Sequence, residues 1–314
     1  MQRPLFCLWV FSLGLALSAC AGTEVEPRAV DAGFDAGRDV AAQQDQGAAA
    51  EVGVDAPSVD LGADDDAGAP PSDSGLCRVN NDGVINRNEM AFLVGASVLY
   101  AVNDTGTTVE PVDLVGAPHP DRPMQRLWSF SAPVMSDRRI LDEVMSPSGR
   151  WWSSSYADAT FATVADRSTN LLGVYRVSDT ELQLLGTVST EANRTNLRFS
   201  PPVTVLRFPL REGDTWEQTV NGSGFVNFTP LNNVSRFTNR IDAAGEVRTP
   251  AGRFQALRLR TDLDQSIPLT VFRVTRRTFT FVSECWGVVA RVISTDNEST
   301  VEFRRASEYR RLGL

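Results

Sequence analysis

The stretch Phe254-Gln255-Ala256-Leu257-Arg258-Leu259-Arg260-Thr261 decides the fold class. Its leucines and arginines alternate, so in a strand they lie on opposite faces. That pattern is typical of an antiparallel strand with one buried face. Similar runs recur along the chain, and we predict strands at residues 97–102, 171–177, 181–188, 203–208, 215–220, 224–228, 234–241, 254–261, 271–282, 288–293 and 299–303. The fold is therefore predicted to be all-β and mainly antiparallel, as a curled sheet, a sandwich or a partial barrel.

Three local patterns refine this prediction. Ser178-Asp179-Thr180 separates two of the runs and predicts a hairpin. In the run 271–282 the apolar residues change parity at Arg276-Arg277, which predicts a bulge or a corner there. Residues 136–145 are the one clear helix candidate, capped by Ser136.

Part of the body resembles a group of uncharacterised bacterial envelope β-domains. The resemblance rests on Phe208-Pro-Leu-Arg-Glu-Gly-Asp-Thr-Trp216, on Val247-Arg-Thr-Pro-Ala-Gly-Arg-Phe254 and on Cys285-Trp-Gly-Val-Val289. It implies a fold and no reaction. The same residues are also explained physically, with Pro-Ala-Gly as a tight turn and Trp216 and Phe254 as aromatic core residues.

Composition excludes several classes of enzyme. The chain has 314 residues, with 30 basic side chains, 39 acidic ones and one His. All of the basic residues are Arg, so a Walker P-loop, a Schiff-base lysine and a Ser-x-x-Lys pair are excluded. A single His excludes a three-His zinc site.

Charge divides the chain into an acidic linker and a nearly neutral body. Residues 21–75 carry 13 acids and 2 arginines, which gives −11, whereas residues 76–314 carry 26 acids and 27 arginines, which gives +1. The linker is rich in Asp, Ala and Gly with one aromatic residue, so we expect it to be disordered and to act as a spacer. The near-neutral body makes nucleic acid an improbable partner.

The amino terminus predicts export. Arg3 precedes an apolar run at residues 5–17, which is too short to span a bilayer and suits a signal peptide. The run ends in Leu17-Ser18-Ala19-Cys20, which resembles the lipobox of bacterial lipoproteins. That resemblance implies cleavage after residue 19 and acylation of Cys20. Ala21 and Gly22 follow instead of Asp, which in that family implies sorting to the outer membrane.

Cysteine arithmetic then leaves two thiols. Cys7 leaves with the signal and Cys20 carries lipid, so Cys77 and Cys285 remain in an oxidising compartment. We predict that they form a disulfide, which would close a loop of about 200 residues. Two free buried thiols are the alternative.

A calcium-loop pattern occurs at the start of the body. Residues 80–89 resemble the second part of an EF-hand or dockerin loop, which would place Asn80, Asp82, the Val84 carbonyl and Glu89 as Ca²⁺ ligands. Arg78 stands where the first acidic ligand belongs, which argues against a working site. A turn followed by a short helix, with Asn86 and Glu89 forming a capping box, explains the same residues.

Other candidate site residues are arginines and isolated acids. The strand arginines are expected to be exposed, and Arg forks suit anions, so Arg258, Arg260, Arg276 and Arg277 are candidates for an anion-binding face, with Arg273, Arg291, Arg304 and Arg305 as further exposed arginines. A solvated face balanced by acids is the favoured interpretation. His119 is expected in a rigid loop and Asp262 and Asp264 on a solvated rim.

These observations predict four regions and a binding role. They are a signal peptide (1–19), a lipidated linker (20–75), a turn with a short helix (76–95) and the β domain (96–314). We expect a monomeric, non-catalytic outer-membrane lipoprotein with no cofactor beyond weak Ca²⁺. Its partners would be the bilayer, through Cys20, and an envelope glycan, lipid or protein. The alternatives are a carrier of a lipophilic ligand and a hydrolase with a carboxylate or Ser site.

Overall fold

A computed structural model describes residues 77–90, 92–166, 171–268 and 270–313, without the side chain of residue 166. The predicted signal peptide and linker, with Cys20, lie outside the described residues. The described chain forms two 3-10 turns, Arg87–Glu89 and Ser153–Ser155, and sixteen strands: β1 (Val84–Ile85), β2 (Ser97–Asn103), β3 (Ala117–Pro118), β4 (Arg126–Ser129), β5 (Asp137–Glu143), β6 (Phe161–Asp166), β7 (Leu171–Val177), β8 (Glu181–Ser189), β9 (Asn196–Arg207), β10 (Leu210–Arg211), β11 (Thr215–Val226), β12 (Thr229–Thr249), β13 (Gly252–Ser266), β14 (Arg273–Ser283), β15 (Gly287–Ser294) and β16 (Ala306–Leu312).

Twelve strands form one curled antiparallel sheet in the order β5-β2-β16-β15-β14-β13-β12-β11-β9-β8-β7-β6. The two ends of this path meet, because the Met145 N–H donates to the Ala162 carbonyl at 2.7 Å and the Ala162 N–H donates back at 2.9 Å. The sheet is therefore nearly closed and barrel-like, with an inner and an outer face. The predicted all-β antiparallel class is confirmed. None of the helical segments in the described residues has the length and apolar character needed to cross a bilayer.

Part of the outer face is covered by the segment at residues 109–130. Its strand β4 pairs in parallel with the end of β12, and β3 pairs with β4. Trp128 and Phe130 from this segment are buried and pack edge-on against Phe281, with ring centroids 5.0 and 5.2 Å apart. The indole of Trp128 donates a hydrogen bond to the Leu114 carbonyl at 2.8 Å. Strand β14 is thus buried on both of its faces.

This double burial corrects the bulge predicted at Arg276-Arg277. Strands β13 and β14 stay in register from Ser266↔Arg273 to Leu257↔Val282, and the irregularity lies at Phe281/Val282 against β15. The change in apolar parity arises because Phe279 and Phe281 pack under the outer segment. A strand that is buried on both faces has apolar residues at both parities, and in the sequence this pattern looks the same as a bulge.

The helix predicted at residues 136–145 is wrong. These residues form β5, which pairs with β2 from Ser97↔Glu143 to Asn103↔Asp137. Pairing satisfies the backbone of both strands and directs Asp142 inward, whereas Leu141 remains 55% exposed. Tertiary pairing overrides local helix propensity here.

Two strand predictions near the chain's turns also change. The predicted strand at 224–228 is the end of β11, which turns at Asn227 and Phe228 into β12. Both turn residues have positive φ, as a tight hairpin turn requires. The predicted strand at 299–303 is a turn that buries only Phe303, and the last strand is β16. The hairpin of β7 and β8 is confirmed.

Candidate functional site

The inner face of the curled sheet encloses a cavity of about 260 Å³. One side of it is apolar and comes from β2, from the segment after β5, and from β6, β8 and β9, with Val98, Val144, Phe161, Leu182, Val205 and Leu206 as its main residues. Val205 and Leu206 are consecutive and both line the cavity, because the pairing of β8 with β9 shifts register beside them. The cavity thus has an apolar wall where the two ends of the sheet meet.

The opposite wall crosses five adjacent strands, β12 to β16, and carries a row of polar side chains, with Phe237, Leu259 and Val288 also in the lining. Register places its side chains side by side, with Asn239 opposite Thr261, Thr261 opposite Thr278, Thr280 opposite Arg291 and Arg291 opposite Arg310. All six line the cavity. The cavity is therefore amphipathic, and a ligand with one polar and one apolar part matches it.

The charges at the polar wall are matched in pairs. Arg310 donates to Asp142 at 2.6 Å, and Arg291 donates through Nε to Glu308 at 2.8 Å. Glu308 also lies 3.2 Å from Arg310 Nε. Burial raises the pKa of Glu308, but the two arginines outweigh it, so the pKa lies below its ordinary value of 4.5. Both acids are held by arginines.

Aromatic side chains lie beside the polar wall and at one end of the cavity. Tyr100 donates to the Val288 carbonyl at 2.8 Å, and burial, the largest effect, raises its pKa. Phe92, Phe161 and Tyr175 form a continuous stack, with centroid distances of 5.6 and 5.1 Å. The guanidinium of Arg87 lies 5.2 Å from the Phe92 ring. Such a stack is rigid and apolar, and it suits a hydrocarbon or ring.

Residues 77–90 and Phe92 lie against the cavity, and Met90 and Phe92 belong to its lining. A disulfide joins Cys77 to Cys285, with the Cα atoms 5.4 Å apart, and the Cys285 N–H donates to the Glu89 carbonyl at 2.7 Å. Strand β1 also pairs with β10. These contacts fix the segment in place. The disulfide predicted from the cysteine count therefore holds Met90 and Phe92 against the cavity.

The residues of the calcium-loop pattern are engaged with each other. Glu89 accepts hydrogen bonds from the Asn86 N–H at 2.7 Å and the Asn80 amide at 2.8 Å. Asp82 Oδ1 accepts the Val84 N–H at 2.8 Å, and Asn80 Oδ1 accepts the Asp82 N–H at 2.9 Å. In the described residues no three acidic, His or Cys side chains cluster as metal ligands. The turn-and-cap interpretation accounts for each of these contacts.

The four central arginines do not form one exposed face. Arg258 is 6% exposed and donates to Asp242 and Glu302, while Arg260 and Arg277 both pair with Asp262. Their charges are thus matched by acids along the outer surface. The candidate anion-binding face is corrected to a set of ion pairs.

Two arginines of the predicted exposed face point inward instead. Arg276 is 8% exposed and, through its register with Leu263, lies on the face opposite Arg277. Arg291 lines the cavity. Alternation on a sheet that is buried on both faces explains both placements.

The remaining candidates have structural partners. His119 is 6% exposed, its Nδ1 accepts the Asp121 N–H at 3.1 Å, and its Nε2 lies 3.4 Å from Glu246. Nε2 therefore carries the proton that Glu246 accepts. Burial is the largest single effect and raises the pKa of Glu246. The hydrogen bonds from Arg248 and His119 together lower it by more, so the pKa lies below its ordinary value. Asp264 pairs with Arg273.

The sequence left a carrier of a lipophilic ligand as an alternative but did not identify the residues that line the cavity. Thr278 and Thr280 alternate with Phe279 and Phe281, and the phenylalanines indicated the core. A row of Thr, Asn and Arg at one parity on neighbouring strands was the available signal for a polar wall. It becomes visible only when register is known.

Comparisons with known proteins give distant likenesses. No family model and no curated protein matches the chain. The hypothetical lipoprotein YmcC from Escherichia coli is 9% identical with a TM-score of 0.33, covering 69% of this chain and 86% of that one. A presumed exported protein with a YmcC-like fold from Bacteroides fragilis is 12% identical with a TM-score of 0.36, covering 76% and 97%. A presumed lipoprotein from Parabacteroides distasonis is 10% identical with a TM-score of 0.30, covering 70% and 96%.

Proposed function

We propose that this protein is a lipid-anchored envelope protein that binds one small amphipathic molecule inside its curled sheet. The observation that carries this proposal is the chemical division of the cavity between an apolar wall and a polar wall across β12 to β16. An apolar core without a ligand role would not place six polar side chains on its inner surface, because burying polar groups costs free energy.

Cavity size limits the ligand. Sites for small molecules usually measure about 300–1,000 Å³, and this cavity of about 260 Å³ lies just below that range. It therefore suits one short acyl or isoprenoid chain, or one aromatic molecule, rather than a complete diacyl lipid.

The proposed anchor rests on the lipobox pattern. Acyl chains on Cys20 would hold the binding site near the outer membrane through the acidic linker. Labelled palmitate should enter the wild-type protein and should not enter a Cys20→Ala variant. Equal labelling of both proteins would remove the anchor from the proposal and leave the cavity's role untouched.

Binding explains the cavity better than hydrolysis does. A general acid needs a carboxyl whose pKa is raised towards neutrality. The pKa of Glu308 is lowered by its two arginines, and Asp142 is hydrogen bonded to Arg310. These acids serve to neutralise the arginines, so we propose a non-catalytic role.

A blocked cavity tests this role. Val98 lines the cavity on β2, whereas its neighbour Leu99 pairs with the exposed Leu141 on the outer face. Native mass spectrometry of the full chain carrying Cys20→Ala should detect a bound molecule, and Val98→Phe should abolish it. Leu99→Phe is the matched control and should retain it.

The same comparison in vitro uses N-phenyl-1-naphthylamine, whose fluorescence rises in apolar sites. We expect saturable binding to the parent and to Leu99→Phe, and none to folded Val98→Phe. Equal binding to all three proteins would place the apolar site elsewhere and refute the proposal.

A further inference from the structure

The polar wall contains one neutral side chain with a buried donor that no described residue satisfies, whereas its arginines are ion-paired. Asn239 on β12 is 3% exposed and lines the cavity. Its Oδ1 accepts the Thr261 hydroxyl at 2.8 Å, whereas its Nδ2 finds no hydrogen-bond partner among the residues that the structure describes. Buried amide groups are normally satisfied, so this donor calls for a partner.

We propose that Asn239 binds an oxygen acceptor of the ligand, which is a neutral lipid-like molecule with an ester or amide carbonyl beside its apolar chain. This inference rests on the proposed function. The Thr261 hydroxyl orients the amide by donating to Oδ1, and Nδ2 has no hydrogen-bond partner among the described residues. A carbonyl that accepts from Nδ2 would place its chain towards the apolar wall.

Charge balance favours a neutral ligand over a fatty acid anion. The two cavity arginines already face two acids, Asp142 for Arg310 and Glu308 for Arg291 and Arg310. A ligand carboxylate would bring a third negative charge to two positive ones and would lose its hydration on entry. An ester or amide carbonyl needs one donor and no counter-charge.

Competition between ligands of equal length tests the inference. Methyl hexanoate, n-octane and heptanoate would each displace N-phenyl-1-naphthylamine from the full chain carrying Cys20→Ala. We expect methyl hexanoate to bind about tenfold more tightly than n-octane, which corresponds to one hydrogen bond of about 1.4 kcal/mol. Heptanoate should bind more weakly than the ester.

Asn239→Leu should remove the preference for the ester while n-octane still binds. The matched control is Asn233→Leu, because Asn233 lies on the same strand, is also 3% exposed, and does not line the cavity. That variant should keep the tenfold preference. Thr261→Val provides a second variant if Asn239→Leu does not fold, and it should weaken the preference by releasing the amide.

The outcomes separate this inference from the proposed function. Equal binding of ester and alkane to the parent protein would show that the Asn239 amide makes no hydrogen bond to the ligand. That result would overturn the inference, while the cavity would remain a binding site. An ester preference that survives Asn239→Leu would overturn it as well. Failure of every compound, including the probe, to bind would refute the proposed function itself.

Discussion

Replacing Glu308 by Gln should destabilise the protein by about 3 kcal/mol at neutral pH. Glu308 accepts a hydrogen bond from Arg291 at 2.8 Å, and in the described part of the chain Arg291 makes no other ion pair. Breaking a buried pair costs about 3–5 kcal/mol, since one charge stays buried without a partner. The lower end applies because the two side chains keep 20% and 19% of their surface exposed and Arg310 retains Asp142.

The pH dependence of this loss follows from the direction of the pKa shift. The folded-state pKa of Glu308 lies below 4.5, so its ion pairs stabilise the protein above the unfolded value and this contribution disappears as the pH falls. The difference between the parent and Glu308→Gln should therefore be full at pH 7 and should shrink as the pH falls below the ordinary pKa of 4.5 towards the lowered folded-state pKa. Urea unfolding at several pH values measures it.

An exposed ion pair provides the matched control. Glu217 pairs with Arg236, and their side chains are 48% and 60% exposed. Glu217→Gln should cost at most about 1 kcal/mol. The double variant Arg291→Met with Glu308→Leu should lose less than Glu308→Gln, because no charge is left unpaired. A loss for Glu308→Gln no larger than for Glu217→Gln, or one that stays constant with pH, would refute the reasoning.

Further predictions concern the elements that shape the cavity. Replacing Cys77 and Cys285 by Ser should lower the free energy of unfolding by about 5 kcal/mol in the chain-entropy model, because the crosslink spans 208 residues. Guanidinium unfolding measures this, and a loss below about 1 kcal/mol would contradict the model. Phe281→Ala should cost about 3–5 kcal/mol, since the ring is fully buried under the outer segment, whereas Phe228→Ala should be nearly neutral at 71% exposure. Calcium should leave the melting temperature unchanged relative to EDTA, because Glu89 is occupied by hydrogen bonds; a saturable rise would restore the calcium-loop hypothesis.

Alternating strands such as residues 254–261 could be recognised from the sequence because their inner and outer faces meet different surroundings. The strand within residues 136–145 could not be recognised in this way. Its charged side chains show no strict alternation, so the same residues fit a capped helix equally well. Their strand is determined by its partner β2. The ion pairs of Arg258 were hidden for a similar reason, because Asp242 and Glu302 lie far from it in the chain.

The sequence by itself determined the fold class, the two cysteines available for a disulfide and the predicted signal with its lipobox. Each of these depends on local composition, short-range periodicity or simple counting. Only the tertiary structure decided which face of β14 is the inner one, where Asn239, Arg291 and Arg310 meet, and that they line a cavity. Those relations depend on the register between strands that are distant in sequence and on the closure of the sheet at Met145 and Ala162. Closure brings an apolar wall opposite a polar one, and no single strand carries that information.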